Sequence, residues 1–258
     1  MKKSLAMAAA AVAVSLGGFA QAADLARPMM KAPPPLPPIS SWTGCYVGAG
    51  YGYGMYNQQV HEIGPGGVVN SIGQTNGGRG WIGTAQIGCD WQITSNIVIG
   101  AFADYDWSGI SGDAADGLIR GNEKLSSAWA AGGRVGWVVV PQLLAYVSFG
   151  GTQARFDRID FVPLGIAVPV PLQFVDRHTY NGWFIGTGYE YALGFFPGLY
   201  WKTEYRFSEF QTDRLPFVTT ATGVANGFSL DSHKYVQTIR SELVWRFNWG
   251  KAPVVANY

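Results

Sequence analysis

From Trp42 onward the chain alternates large apolar residues with polar, charged or very small ones over eight stretches: 44–56, 79–91, 97–108, 125–139, 143–155, 180–193, 199–208 and 234–247. A period of two is the pattern of a strand whose faces meet different surroundings. Each stretch reaches the roughly 9 to 11 residues that a tilted strand needs to cross a bilayer. The gaps between them are long and short by turns. Residues 57–78, 109–124, 156–179 and 209–233 are long gaps, whereas QITSN (92–96), VPQ (140–142) and GFFPG (194–198) are short. A soluble β protein has no reason to sort its connections by parity. An all-β, eight-stranded antiparallel up-and-down transmembrane barrel does, with long mobile loops outside the cell and tight periplasmic turns.

The two rows of each strand differ in kind. WKTEYRF sets Trp201, Thr203, Tyr205 and Phe207 against Lys202, Glu204 and Arg206; TIRSELVWRF sets Ile239, Leu243, Trp245 and Phe247 against Arg240, Glu242 and Arg246. In the second strand, Trp81, Ala85, Ile87, Cys89 and Trp91 oppose Thr84, Gln86, Gly88 and Asp90. An Arg or Lys aimed at lipid near the midplane costs about 2–4 kcal/mol, so the charged rows face the lumen and the apolar rows face lipid. The first strand, CYVGAGYGYGMY, places Gly48, Gly50, Gly52 and Gly54 on the inward row. Eight strands enclose a lumen just wide enough to be filled by side chains. The glycines are therefore expected to make room for charged side chains reaching across from the neighbouring strands.

The N-terminus carries a separate message. Lys2 and Lys3 precede an apolar run from Leu5 to about Phe19 and then Ala20-Gln21-Ala22, the order of a secretory signal cut between Ala22 and Ala23. Residues 23–41 hold five prolines between positions 33 and 38 and read as an extended periplasmic tether. The barrel is expected over 42–248 and a periplasmic tail over 249–258. With 14% charged residues and a formal net charge of +1 in 258 residues, nothing supplies the basic footprint of a nucleic-acid binder.

Several blocks resemble the porin-like, immunogenic outer-membrane barrel family of alphaproteobacteria: a leader ending AADL, KAPP in the tether, then SWTGCYVGAGYGYG, GWIGTAQIGCDWQ, IGAFADYDWSG, GGRVGWV, YNGWFIGTGYEYAL, KTEYRFSEF and RFNWGKAPVVANY. The resemblance implies an abundant, surface-exposed eight-stranded barrel with structural or weakly porin-like roles and, in some members, haem binding. Cys45 and Cys89 stand where that family commonly has aromatics. Both lie on the outward row near the periplasmic ends of adjacent strands, where either a cross-strand disulfide or two separate lipid-facing thiols fit. Phe102 stands where a carboxylate is often found.

The inward rows gather Asp104, Asp106, Arg134, Glu190, Lys202, Glu204, Arg206, Arg240, Glu242 and Arg246, five of each sign. That balance suits a hydrogen-bonded plug; a narrow polar conduit is the other reading. Glu190 and Glu204 are candidates for an acid/base pair only if their Arg and Lys neighbours leave them free, so salt bridging is expected. His61, His178 and His233 fall in three different long gaps, and SGDAADG (111–117) lacks the spacing of a calcium loop. No catalytic, metal or cofactor residues are assigned. The expected protein is a non-enzymatic outer-membrane barrel of a Gram-negative bacterium, monomeric, with lipid and lipopolysaccharide around it. The barrel-insertion machinery would be its partner during biogenesis, and its loops are open to extracellular contacts. The alternatives are a haem or ligand receptor on the same fold and a soluble lipocalin-like carrier, in which the apolar rows would face a cavity.

Overall fold

The computed structural model describes residues 41–70, 73–116, 119–165 and 170–247. The expected signal peptide with its Ala22–Ala23 junction, the tether up to residue 40 and the tail 249–258 lie outside the described residues. Among those described there are eleven strands: β1 Gly44–Ile63, β2 Gln74–Gln92, β3 Ile97–Asp116, β4 Ile119–Val140, β5 Leu143–Phe156, β6 Ile159–Pro163, β7 Gln173–Val175, β8 His178–Ala192, β9 Leu199–Phe210, β10 Asp213–Thr219 and β11 Ala225–Phe247. Eight of them form a closed antiparallel ring in the order β1-β2-β3-β4-β5-β8-β9-β11, with β11 returning to β1. The closing seam runs from Cys45 opposite Phe247 to Ile63 opposite Ser229. Closure leaves no free edge, which a bilayer requires because it offers unpaired backbone groups no partner.

The strands run well beyond a bilayer. β1, β3, β4 and β11 contain 20, 20, 22 and 23 residues, about twice the 9 to 11 that a membrane demands. Much of what reads as mobile loop is therefore ladder. Strand pairing takes in most of the 57–78 gap and most of the 109–124 gap, including SGDAADG as far as Asp116. His61, His178 and His233 stand on β1, β8 and β11 rather than in loops.

Three ring strands break and resume. β6 continues β5 after Asp157-Arg158, β7 leads into β8, and β10 continues β9 after Gln211-Thr212. Their pairings β4–β6, β6–β7, β7–β10 and β10–β11 replace those of β5, β8 and β9. A second circuit, β1-β2-β3-β4-β6-β7-β10-β11, thus extends the barrel outward.

The inward glycines answer to backbone more than to charge. A Cβ built on Gly50 would lie 2.0 Å from the Ser241 carbonyl oxygen, and one on Gly52 would lie 2.3 Å from that of Ile239. Both clashes are with the adjacent strand β11, so these two residues let β1 and β11 approach as closely as a small barrel's curvature demands. Only Gly48 and Gly54 fit the expectation of making room for side chains, and the side chains they admit are Val244 and Gln86, or Ile110 and Thr238. None of those is charged.

The outer wall marks the bilayer. Trp81 and Trp91 stand ten residues apart on the outward row of β2, both exposed. At about 3.3 Å per residue and a tilt near 40° that is about 25 Å along the membrane normal, the height of the apolar band of an outer-membrane barrel. Trp137, Tyr191, Trp201 and Trp245 lie level with the lower end, and Trp107, Trp129 and Trp183 level with the upper. Past the upper belt the outward residues become Asn57, Gln59 and His61 on β1 and His233 and Asp231 on β11.

Candidate functional site: the filled lumen

The period-two rows bring all ten expected charged side chains to the barrel axis, each almost completely buried. They form two separate lattices. The lower one is a four-membered ring of alternating charge. Arg134 donates through Nε to Asp90 Oδ1 at 2.9 Å and through Nη1 to Glu190 Oε1 at 2.5 Å. Arg246 donates through Nη1 to Asp90 Oδ2 at 2.6 Å and through Nη2 to Glu190. Aromatic rings clamp this square. The Arg134 guanidinium lies 4.7 Å from the Tyr46 ring centre, and that of Arg246 lies 5.1 Å from the centres of both Trp42 and Tyr200. Asp90 carries half of the negative charge here. Sequence reasoning put it on the inward row of β2 but left it out of the network.

The middle lattice is larger. Arg206 grips Asp104 with both Nη atoms, at 2.9 and 2.7 Å, and its Nε donates to Glu204 Oε1 at 3.0 Å. Arg240 reaches Glu204 at 2.6 Å and Asp106 at 3.2 Å. Lys202 donates to Gln86 Oε1 at 2.7 Å and lies 3.4 Å from Glu204 and 3.7 Å from Glu242. The Tyr146 hydroxyl donates to Glu204 Oε2 at 2.9 Å. Phe102 and Phe184, 6.0 Å apart, border this layer, and the Arg206 guanidinium lies 4.2 Å from the Phe184 ring centre. Removing one partner from buried pairs of this kind costs about 3–5 kcal/mol, because the other is left charged and unpaired. Glu190 and Glu204 each answer to several cations, so neither is free to act as an acid or a base.

Farther out, Lys234 donates to Glu123 Oε1 at 2.6 Å and to Gln58 Oε1, with its ammonium 4.5 Å from the Phe156 ring centre. Sequence reasoning missed this pair. The register of β4 shifts between Leu125 and Ser127, moving the inward row from even to odd positions and turning Glu123 into the lumen. Apolar layers separate the polar ones. Tyr56, Ile82, Ile110, Leu125, Phe156 and Tyr180 belong to a cluster above the middle lattice. Val60, Ile159, Phe161, Val175, Phe217 and Leu230 close the second circuit. A cavity of about 20 Å³ opens beside Asp104, Asp106, Arg206 and Thr238, room for a water or two rather than a solute. Tyr46 Oη, Ser148 Oγ, Arg240 Nε and Arg246 Nε are buried without a hydrogen-bond partner among the described residues.

At the periplasmic end, Cys45 and Cys89 face each other across β1 and β2 and are joined by a disulfide. The histidines do not converge. His178 Nε2 lies 2.9 Å from Asp213 and His233 Nε2 lies 3.2 Å from Glu209. Among the described residues no group of three or more His, Cys, Asp or Glu side chains is arranged to hold a metal ion.

No protein-family model matches the chain. It is 27% identical to the 31 kDa outer-membrane immunogenic proteins of Brucella melitensis and Brucella suis over 256 residues, covering 92% of this chain and 98% of theirs. Among solved structures, the outer membrane protein OprG of Pseudomonas aeruginosa aligns with 81% of this chain and 99% of its own at 10% identity and a TM-score of 0.46. Neisserial surface protein A aligns with 80% and 98% at 15% identity and 0.39. The chain is an outer-membrane β-barrel protein of Gram-negative type whose homologues include the outer-membrane immunogenic proteins of Brucella.

Proposed function

We propose that this protein is a closed, non-enzymatic surface barrel that contributes to envelope integrity, passing small polar solutes slowly at most. One observation carries the reading: the lumen is occupied from end to end by alternating charged and apolar layers, each with its own side-chain partners. A pore needs a continuous polar path whose charges bind solutes weakly enough to release them. Here the charges bind one another, and two apolar clusters interrupt the path. The absence of enzymatic activity is part of the same proposal, since every buried carboxylate that could serve as an acid or base is held by cations. So are a monomeric state, delivery by the barrel-insertion machinery, contacts of the outer circuit with partners beyond the cell, and a surrounding of outer-membrane lipid and lipopolysaccharide.

Planar-bilayer recording of the refolded mature chain tests it. Silence or rare brief openings are expected, and a steady open conductance would overturn the proposal.

A further inference from the structure

Directly above the upper aromatic belt the outer wall differs from one side of the barrel to the other. On β2 to β5, Arg79, Lys124 and Arg155 are exposed, with Arg120 higher on β4, and none of them makes an ion pair among the described residues. The register places the first three in one band. Ser111 on β3 is opposite both Arg79 and Lys124, and Lys124 accepts a backbone hydrogen bond from Asp157, two residues beyond Arg155. With neighbouring strands about 4.8 Å apart, the band is about 15 Å wide. Asp113 and Asp157 are the acids nearest in the register, and neither lies within 4 Å of these cations. Round the barrel, Arg214 pairs with Asp231 at 2.6 Å and His233 Nε2 lies 3.2 Å from Glu209, while Arg177, just before β8, is exposed and makes no ion pair among the described residues.

A second observation lies beneath the band. The outward rows of β2, β3 and β4 shrink to Gly83, Ala85, Ala101, Ala103, Ala131 and Gly133, and Ala101 faces Gly133 as Ala103 faces Ala131. Across the barrel the same depth carries Tyr189, Tyr205 and Leu243. A shallow apolar trough therefore lies at mid-membrane, topped by Tyr105 and by the exposed Trp81, Trp107 and Trp129, and the three unmatched cations stand above that belt at headgroup height.

We propose that the β2–β5 face is a docking surface for the phosphorylated glycolipid of the outer leaflet. Arg79, Lys124 and Arg155 receive its phosphates above the Trp81, Trp107 and Trp129 belt, and its acyl chains lie against the wall below it. Guanidinium groups form short, charge-assisted, often bidentate bonds to phosphate, and cations at this depth have no protein partner to give up first. The inference rests on the membrane orientation derived above and is independent of whether the lumen conducts.

The test uses the refolded mature chain in phosphatidylcholine nanodiscs, titrated with diphosphoryl lipid A or with the same lipid stripped of both phosphates. The phosphorylated form is expected to bind about tenfold more tightly, and high salt should narrow that ratio. In the triple variant Arg79→Gln, Lys124→Gln, Arg155→Gln the preference is expected to vanish, whereas Arg214→Gln, which removes a paired cation, keeps it. All three positions are exposed, so heat-modifiable migration should be unchanged. If the triple variant does not refold, each single variant is expected to lose about two- to threefold. The proposal is overturned if the triple variant retains the preference, or if Arg214→Gln loses it equally. It is also overturned if inorganic phosphate alone displaces the lipid, which would leave a simple anion site.

Discussion

The lower and upper halves of this barrel are built from the same strands with opposite polarity. Below the upper aromatic belt, Leu243, Ile239 and Trp201 face out while Arg240, Glu242 and Lys202 face in. Above it, on β11, His233 and Asp231 face out while Leu230 packs inward with Phe161, Val175 and Phe217. The reversal follows the solvent. Where lipid surrounds the wall, apolar groups gain nothing by turning inward, and charges find partners only across the lumen. Where water surrounds it, burying apolar surface is again the main driving force, worth about 25 cal/mol per Å². One chain thus carries an inside-out lower half and a conventional upper half, joined near Tyr235.

If that contrast is right, equal insults to the two halves should fail differently. Arg134→Met leaves Asp90 and Glu190 with Arg246 as the remaining cation of their ring. It should cost about 3–5 kcal/mol of the whole barrel's stability, read as an earlier denaturant midpoint for the heat-modifiable form. A loss no larger than that of a surface substitution would mean that the lattice is not structural. Phe217→Ala removes a completely buried ring from the outer core and should cost about 3–5 kcal/mol, but only locally. Proteases should then cut in β6, β7 or β10 while the membrane-embedded ring stays folded. Global unfolding at the same midpoint would show that the halves are one cooperative unit. Gly50→Ala tests the seam between them and the wall: its Cβ meets β11 backbone, so about 1–3 kcal/mol of overpacking strain is expected, along with slower refolding into vesicles.

The smallest effect should come from the outer surface. The hydrogen bond from Arg214 holds the Asp231 carboxyl below the ordinary carboxylate range. A depressed folded-state value stabilises above the unfolded pKa and is lost as pH falls through the folded one. Asp231→Asn should therefore flatten stability slightly between about pH 4 and lower values and change nothing near neutrality. The site is largely solvated, so the amplitude should be slight.

Most of the lower half was legible in the sequence because lipid enforces a strict alternation there. Lys202 to Arg206 on β9 and Arg240 to Arg246 on β11 could be placed by parity alone. The upper half was not. Once water lies outside, a strand no longer needs an unbroken apolar row, and β6, β7 and β10 hold only five, three and seven residues. β6 ends in Pro163 and β10 carries Pro216, both of which read as loop. Glu123 was hidden by the register shift in β4, which no counting of twos reveals. The glycines were read correctly for face but not for cause, since the close approach of two backbones leaves no trace in composition.

The reversal itself can be measured along β11. With Cys45 and Cys89 bonded to each other, a single cysteine introduced at Leu243, Ile239, His233 or Asp231 offers a unique site for a spin label in refolded proteoliposomes. Labels at Leu243 and Ile239 should be relaxed by oxygen and shielded from a water-soluble nickel chelate, and those at His233 and Asp231 should show the reverse, with the crossover at Tyr235. Hydrocarbon-like signals at His233 and Asp231, or water at Leu243, would contradict the account.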